Sequence, residues 1–277
     1  EGLTCVARGT AHDLAAVRFG YEGADRIHAL PDGSLALDAF CGTMVEARRE
    51  GSGSLSLSWT LESPGGSATG SQRGASSLVW STYLGGSTSD DVWDCTVDAA
   101  RNLLVVGYTA SANFPTTPGA YDQTRNGGAT DVFVAKLASL GSSLVWATFL
   151  GGSSPDPGPA ISLAPYGNPV VTGWTMSPDF PLTVGAYDTS PNGWEDVFLT
   201  KLSSSGSTVL WSTLIGGSSS DRGWSLELDS DDRPVVTGDV YSSDFPTTGG
   251  AYDQSFNGDS YDSYVTKVAS NGASLVW

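Results

Sequence analysis

Leu78-Val79-Trp80 opens a run that continues through Tyr83-Leu84-Gly85-Gly86-Ser87, and the rest of the chain repeats it. The anchor returns as Leu144-Val145-Trp146, Val209-Leu210-Trp211 and Leu275-Val276-Trp277, so the tryptophans lie 66, 65 and 66 residues apart. Other landmarks keep the step: Gly85-Gly86, Gly151-Gly152 and Gly216-Gly217; Phe114-Pro115, Phe180-Pro181 and Phe245-Pro246; Gly119-Ala120-Tyr121-Asp122, Gly185-Ala186-Tyr187-Asp188 and Gly250-Ala251-Tyr252-Asp253; Lys136, Lys201 and Lys267. A fixed period of this kind marks a repeat architecture, in which each copy is one supersecondary unit stacked on the next.

Each period holds four strand-like runs rich in β-branched and aromatic residues and bounded by Gly, Asp and Ser. In the first copy they are Leu78 to Leu84, Val92 to Val97, Leu103 to Tyr108 and Val132 to Leu137. The connections at 98–102 and 138–143 are short and turn-like, as hairpins require. Runs such as Leu103-Leu104-Val105-Val106 are apolar at successive positions, so both faces of the strand must be covered. The expected class is all-β: four-stranded antiparallel meanders of about 66 residues, stacked face to face as β-propeller blades. Three copies fit, at about 78–143, 144–208 and 209–274, with the start of a further strand at the end. Closed propellers usually have about four to eight blades, so the propeller is expected to be incomplete. The remaining blades of a longer chain, or a second copy, would then close it.

These residues resemble the SBBP-type β-propeller repeats of bacterial cell-surface proteins. The resemblance rests on Tyr83-Leu84-Gly85-Gly86-Ser87, Gly107-Tyr108-Thr109, Phe114-Pro115-Thr116-Thr117 and Phe133-Val134-Ala135-Lys136-Leu137, and extends over 78–277. It implies an exported protein, secreted or held at the bacterial cell surface. The second copy departs from the pattern: Pro155-Asp156-Pro157-Gly158-Pro159 replaces a polar loop, and Ala164 stands where Asp98 and Asp229 stand in its neighbours. Residues 1–61 lack the period. Val17-Arg18-Phe19-Gly20-Tyr21-Glu22-Gly23-Ala24-Asp25 and Pro31-Asp32-Gly33-Ser34-Leu35 are similar to the small all-β domain that commonly precedes such repeats. Residues 62–77, rich in Gly and Ser, are expected to be a linker.

Composition narrows the partners. With 13 Lys and Arg against 30 Asp and Glu, the net charge of -17 disfavours nucleic acid and anionic lipid. No apolar run is long enough to span a bilayer. Cys5, Cys41 and Cys95 are too few for a disulfide scaffold; a Cys5–Cys41 bridge and three free buried thiols both fit.

In a meander alternate connections emerge on one side, so the loop after Gly-Gly and the long Phe-Pro loop share a face. That face gathers Asp90, Asp156 and Asp221; Asp131, Asp196 and Asp262; and Asp179 and Asp244. The first six are candidate calcium ligands, because calcium takes several oxygens from flexible loops. The competing assignment is that they cap turns by accepting backbone N–H groups. Tyr121, Tyr187 and Tyr252 are ligand-face candidates that could stack on sugar rings, although their identical Gly-Ala context fits a role in pinning each loop to its own blade. The repeated tryptophans are expected in the blade core, and the repeated Lys is expected to pair with a repeated Asp or to snorkel outward.

The only histidines, His12 and His28, lie outside the repeats, so these contain no Ser-His or Cys-His pair for nucleophilic catalysis. The expected function is a non-catalytic structural or adhesive scaffold at the cell surface, presenting its Asp-rich face to a glycan or protein. The alternative is a carbohydrate-active enzyme, a lyase or glycosidase using carboxylates of that face. A single non-repeated acidic pair in a deep central pocket would mark the enzyme, and a regular ring of equivalent loops the scaffold.

Overall fold

A computed structural model describes residues 79–277 throughout and, before them, only the backbone of seven strands. These are β1 (Leu3–Ala7), β2 (Val17–Arg18), β3 (Ala24–Ala29), β4 (Leu35–Ala39), β5 (Arg48–Arg49), β6 (Ser58–Ser63) and β7 (Gly66–Thr69). Five of them form a sheet in the order β3-β4-β1-β6-β7, so one hairpin runs into the stretch whose composition suggested a linker. The question of a Cys5–Cys41 bridge lies outside the described residues. The chain divides into two compact units, Glu1–Leu78 and Val79–Trp277.

The second unit is all-β, built of antiparallel sheets of four, four and three strands. Blade 1 comprises β8 (Asp90–Val97), β9 (Leu103–Thr109), β10 (Asp131–Leu137) and β11 (Leu144–Leu150). Blade 2 comprises β12 (Ala160–Ala164), β13 (Asn168–Thr175), β14 (Asp196–Leu202) and β15 (Val209–Ile215). Blade 3 comprises β16 (Asp221–Leu228), β17 (Pro234–Val240) and β18 (Asp262–Lys267), with a fourth strand begun by the Val268–Leu275 bridge. The first strands β8, β12 and β16 lie side by side, which is the inner position of propeller blades.

The blades are out of phase with the sequence repeats. Each Leu-Val-Trp run closes the blade before it: Leu144–Leu150 pairs with β10, and Val209–Ile215 with β14. In the first copy residues 79–86 form no strand. The apolar runs of the middle strands are covered on both faces: Leu104, Val105 and Val106 are all buried, as are Val132, Phe133, Val134 and Ala135.

β12 has five residues where β8 and β16 have eight. Pro157 and Pro159 lack the N–H that a ladder needs, so pairing begins only at Ala160. The long Phe-Pro loop runs along the outer edge of its own blade: Thr117 N–H donates to the Ala147 carbonyl (3.1 Å) and Phe149 N–H to the Asp122 carbonyl (3.0 Å). Thr183 with Ser212 and Leu214 with Asp188 repeat this in blade 2. The loop thereby satisfies the edge strand that would otherwise pair with another molecule.

The repeated Trp and Tyr join blades rather than filling or fastening a single one. Trp146 Nε1 donates to the Ser204 carbonyl of the next blade's turn (2.9 Å), and Trp211 Nε1 to that of Ser270 (3.0 Å). Each indole lies against a glycine of that turn, Gly206 and Gly272, whose φ values of +67° and +71° suit glycine. Tyr121 and Tyr187 donate their N–H groups to the carbonyls of the same two glycines, both at 2.8 Å. In blade 3 the equivalent Tyr252 is fully exposed.

Lys136 pairs with Asp98 (2.7 Å) and Lys267 with Asp229 (3.1 Å), each within its blade. Burial opposes ionisation of Asp98, yet its bonds to Lys136 and Asn102 outweigh it and hold the carboxyl at about 2. Blade 2 has Ala164 at that position, and Lys201 reaches instead to Asp232 in blade 3 (2.6 Å). Breaking such a pair strands a largely buried ammonium. Asp232→Asn, which keeps a residue tolerant of φ +61°, is expected to cost about 2 kcal/mol in urea unfolding, and Ala164→Asp to recover most of it.

Candidate functional site

The recurring carboxylates of the loop face are turn caps. Asp90 Oδ2 accepts from Gly86 N (2.7 Å) and Ser111 Oγ (3.0 Å). Asp156 Oδ2 accepts from Gly152 N (2.7 Å) and Ser177 Oγ (2.9 Å), while its Oδ1 accepts from Thr175 Oγ1. Asp221 accepts from Gly217 N (2.7 Å), Ser242 Oγ (2.7 Å) and the N–H groups of Tyr241 and Ser242. Each thus ties the Gly-Gly turn to the far end of the second strand.

Asp131, Asp196 and Asp262 accept the backbone N–H of Asn126, Asn192 and Asn257 at 2.8, 2.8 and 2.6 Å. Asp179 and Asp244 each take the N–H of the serine after Gly-Gly at 2.8 Å, which holds their carboxyls below the ordinary range. Among the described residues no three side chains of His, Cys, Asp or Glu converge as a metal-binding group.

Two of the aspartate sets nevertheless meet in a way that sequence did not anticipate. Asp131 of blade 1 adjoins Asp156 of blade 2 across Gly151, and Asp196 of blade 2 adjoins Asp221 of blade 3 across Gly216. All four are buried, and Asp131 Oδ1 and Asp196 Oδ1 have no hydrogen-bond partner. Burial, reinforced by the neighbouring carboxylate, raises Asp131 to about 6 and raises Asp196; burial likewise raises Asp156 to about 6.

A second constellation is built at two repeat positions that are aromatic in only two of the three copies. Trp93 on β8 lies parallel to Trp224 on β16 with centroids 5.9 Å apart, and Trp174 on β13 is 6.1 Å from the first and 4.7 Å from the second. Tyr108 meets Trp93 edge-on at 5.6 Å. Trp93 and Trp224 are 41% and 40% exposed, so the platform opens to solvent.

Carboxylates fix its rim. Trp224 Nε1 donates to Asp239 (2.8 Å), and a hydrogen bond to Asp91, the leading influence on Tyr108, raises the phenol. The Arg222 guanidinium lies 5.5 Å from the Trp174 ring centroid and is neutralised by Glu195 (2.7 Å). Trp93 and Trp224 align with Pro159 in the second copy, and Trp174 aligns with Tyr108 and Asp239. Tyr121 and Tyr187 stand apart, fastened by their backbone to the next blade's turn, and Tyr252 is exposed. Sequence reasoning missed the platform because it followed what recurs; the signal was the set of aromatic positions at which the copies differ.

Fold and site together define an all-β protein of stacked propeller blades. The SBBP family model, described as a beta-propeller repeat, matches residues 79–115, which is the first copy from its Leu-Val-Trp anchor to Phe114-Pro115. No curated protein matches the chain.

Proposed function

We propose that the chain is a non-catalytic binding scaffold of the bacterial cell surface or extracellular space, whose blades present the Trp93–Trp174–Trp224–Tyr108 platform to a glycan. The observation that carries this is the aromatic cluster that exposes Trp93 and Trp224 over a buried Trp174, at repeat positions that are aromatic in only two of the three copies. A recurring residue serves every blade, whereas a binding residue need serve only one place. Flat aromatic faces flanked by a few oriented polar groups suit a ligand with an apolar face and hydroxyls, as a sugar ring has. Asp91 and Asp239 at the rim, within a chain of net charge -17, favour neutral or amino sugars over sulfated or uronic ones. The carboxylate pairs recur at both junctions, which supports scaffolding over a unique catalytic pair. Further blades or a second copy would complete the ring beside Tyr252 and Trp277, which are exposed where earlier copies meet a neighbour.

The test is a screen of neutral, amino and sulfated oligosaccharides by tryptophan fluorescence. Binding of the first two classes and not the third is the expected result. Binding only to protein, or to sulfated sugars equally well, would refute the glycan assignment.

A further inference from the structure

We infer that each blade junction is a divalent-cation site of the calcium type, one between Asp131 and Asp156 and one between Asp196 and Asp221. This is independent of the glycan platform. The argument begins with the unpartnered oxygens. Asp131 and Asp196 are 0% and 2% exposed, and each leaves Oδ1 without a donor while its Oδ2 is capped. A buried carboxylate oxygen without a partner is costly, and beside a second carboxylate it is costlier still.

The same arrangement occurs twice, from residues of two different aspartate sets and two different blades. Gly151 leaves the room: a Cβ there would lie 2.8 Å from Asp156 Oδ2 and 3.2 Å from Asp131 Cγ. At the second junction a Cβ on Gly216 would collide with Asp196 Oδ1 and lie 3.3 Å from Asp221 Oδ2. Among the described residues the ion pairs of Lys136, Lys201, Lys267 and Arg222 go to other acids, and Arg125, whose charge acts on Asp131, donates to the carbonyls of Gly127 and Gly128.

Two carboxylates facing one gap call for a charge of about two. Calcium accepts irregular sets of carboxylate and carbonyl oxygens, whereas magnesium requires strict octahedral geometry and keeps its waters. The blades would thus be cross-linked by an ion at the same face where the Gly-Gly turns pass from one to the next. Among the described residues no blade lies before Asp90 or after Asp262, so in this chain alone the two junctions are the sites assigned.

The test is calcium titration of the intact chain by calorimetry and thermal melting at pH 7.5, with magnesium at equal ionic strength as control. Asp131→Asn with Asp196→Asn keeps both shapes and both Oδ2 caps, and Asp262→Asn is the matched control. The expected result is a calcium-specific rise of several degrees in melting temperature, with two fewer ions bound by the double variant and none lost by the control. Equal effects of calcium and magnesium, or equal stoichiometry in wild type and double variant, would overturn the proposal. Should the double variant fail to fold, the wild type decides alone: fewer than two calcium ions bound refutes it.

Discussion

Trp211→Ala is expected to destabilise the protein by about 3–5 kcal/mol in urea unfolding, and Trp277→Ala by less than about 1 kcal/mol. The two residues occupy the same position of the repeat and differ only in what lies beyond them. Trp211 is 8% exposed, packs among the blade 2 and blade 3 core and donates to the Ser270 carbonyl. Trp277 is 45% exposed; its ring centroid lies 5.2 Å from the Lys267 ammonium and its carbonyl accepts the Lys267 N–H. Removing the first leaves an indole-sized void between blades and an unpaired carbonyl; removing the second uncovers little. Equal losses at the two positions would mean that the anchor stabilises its own blade and not the junction.

The second large effect is an inverted dependence of stability on pH. In chelator, melting temperature is expected to fall as pH rises from about 4 to about 7. Asp131 and Asp156 titrate near 6 in the folded chain, above the ordinary carboxyl value of 3.8, and Asp196 is raised as well. A raised carboxyl binds its proton more tightly when folded, so its stabilisation is complete below 3.8 and lost through 6. At the Asp131–Asp156 junction the loss is on the order of 2 kcal/mol, since the two carboxylates are coupled.

Asp98, lowered to about 2, acts the other way, as do the lowered Asp179, Asp229, Asp244 and Asp253. Their contribution is present above 3.8 and disappears as pH falls toward 2. Greatest stability is therefore expected near pH 4. A melting temperature that climbs steadily from pH 4 to 7 without metal would show that the junction carboxylates ionise freely.

Much of this architecture was legible in sequence, because period and strand character are local. The 66-residue step, the hairpin turns at Asp98 and Ala138, and the apolar runs buried on both faces all follow from composition within a single copy. The phase of the blade was not legible. Leu144–Leu150 carries the same residues whether it opens its own copy or closes the previous one, and only pairing with β10 decides. The partners of Tyr121, Trp146 and Lys201 were hidden for the same reason, each lying on the following blade.

Of the candidate sites, the aspartates were visible as a face but not as pairs, since Asp131 and Asp156 come from different periodic sets. The aromatic platform was the least visible. Its members sit at positions occupied elsewhere by Pro159 and Asp239, so a search for recurrence passes over them.

That residues present in every copy build the blades while aromatics absent from one copy bind is tested most directly by comparing Trp93→Ala and Trp224→Ala with Tyr121→Ala. Each would be titrated with the oligosaccharide that binds wild type best, and its melting temperature recorded. The two tryptophan variants should lose at least tenfold in affinity while melting within a few degrees of wild type, and Tyr121→Ala should bind normally. Full affinity in both tryptophan variants, or loss confined to Tyr121→Ala, would contradict that division and return the ligand face to the recurring loops.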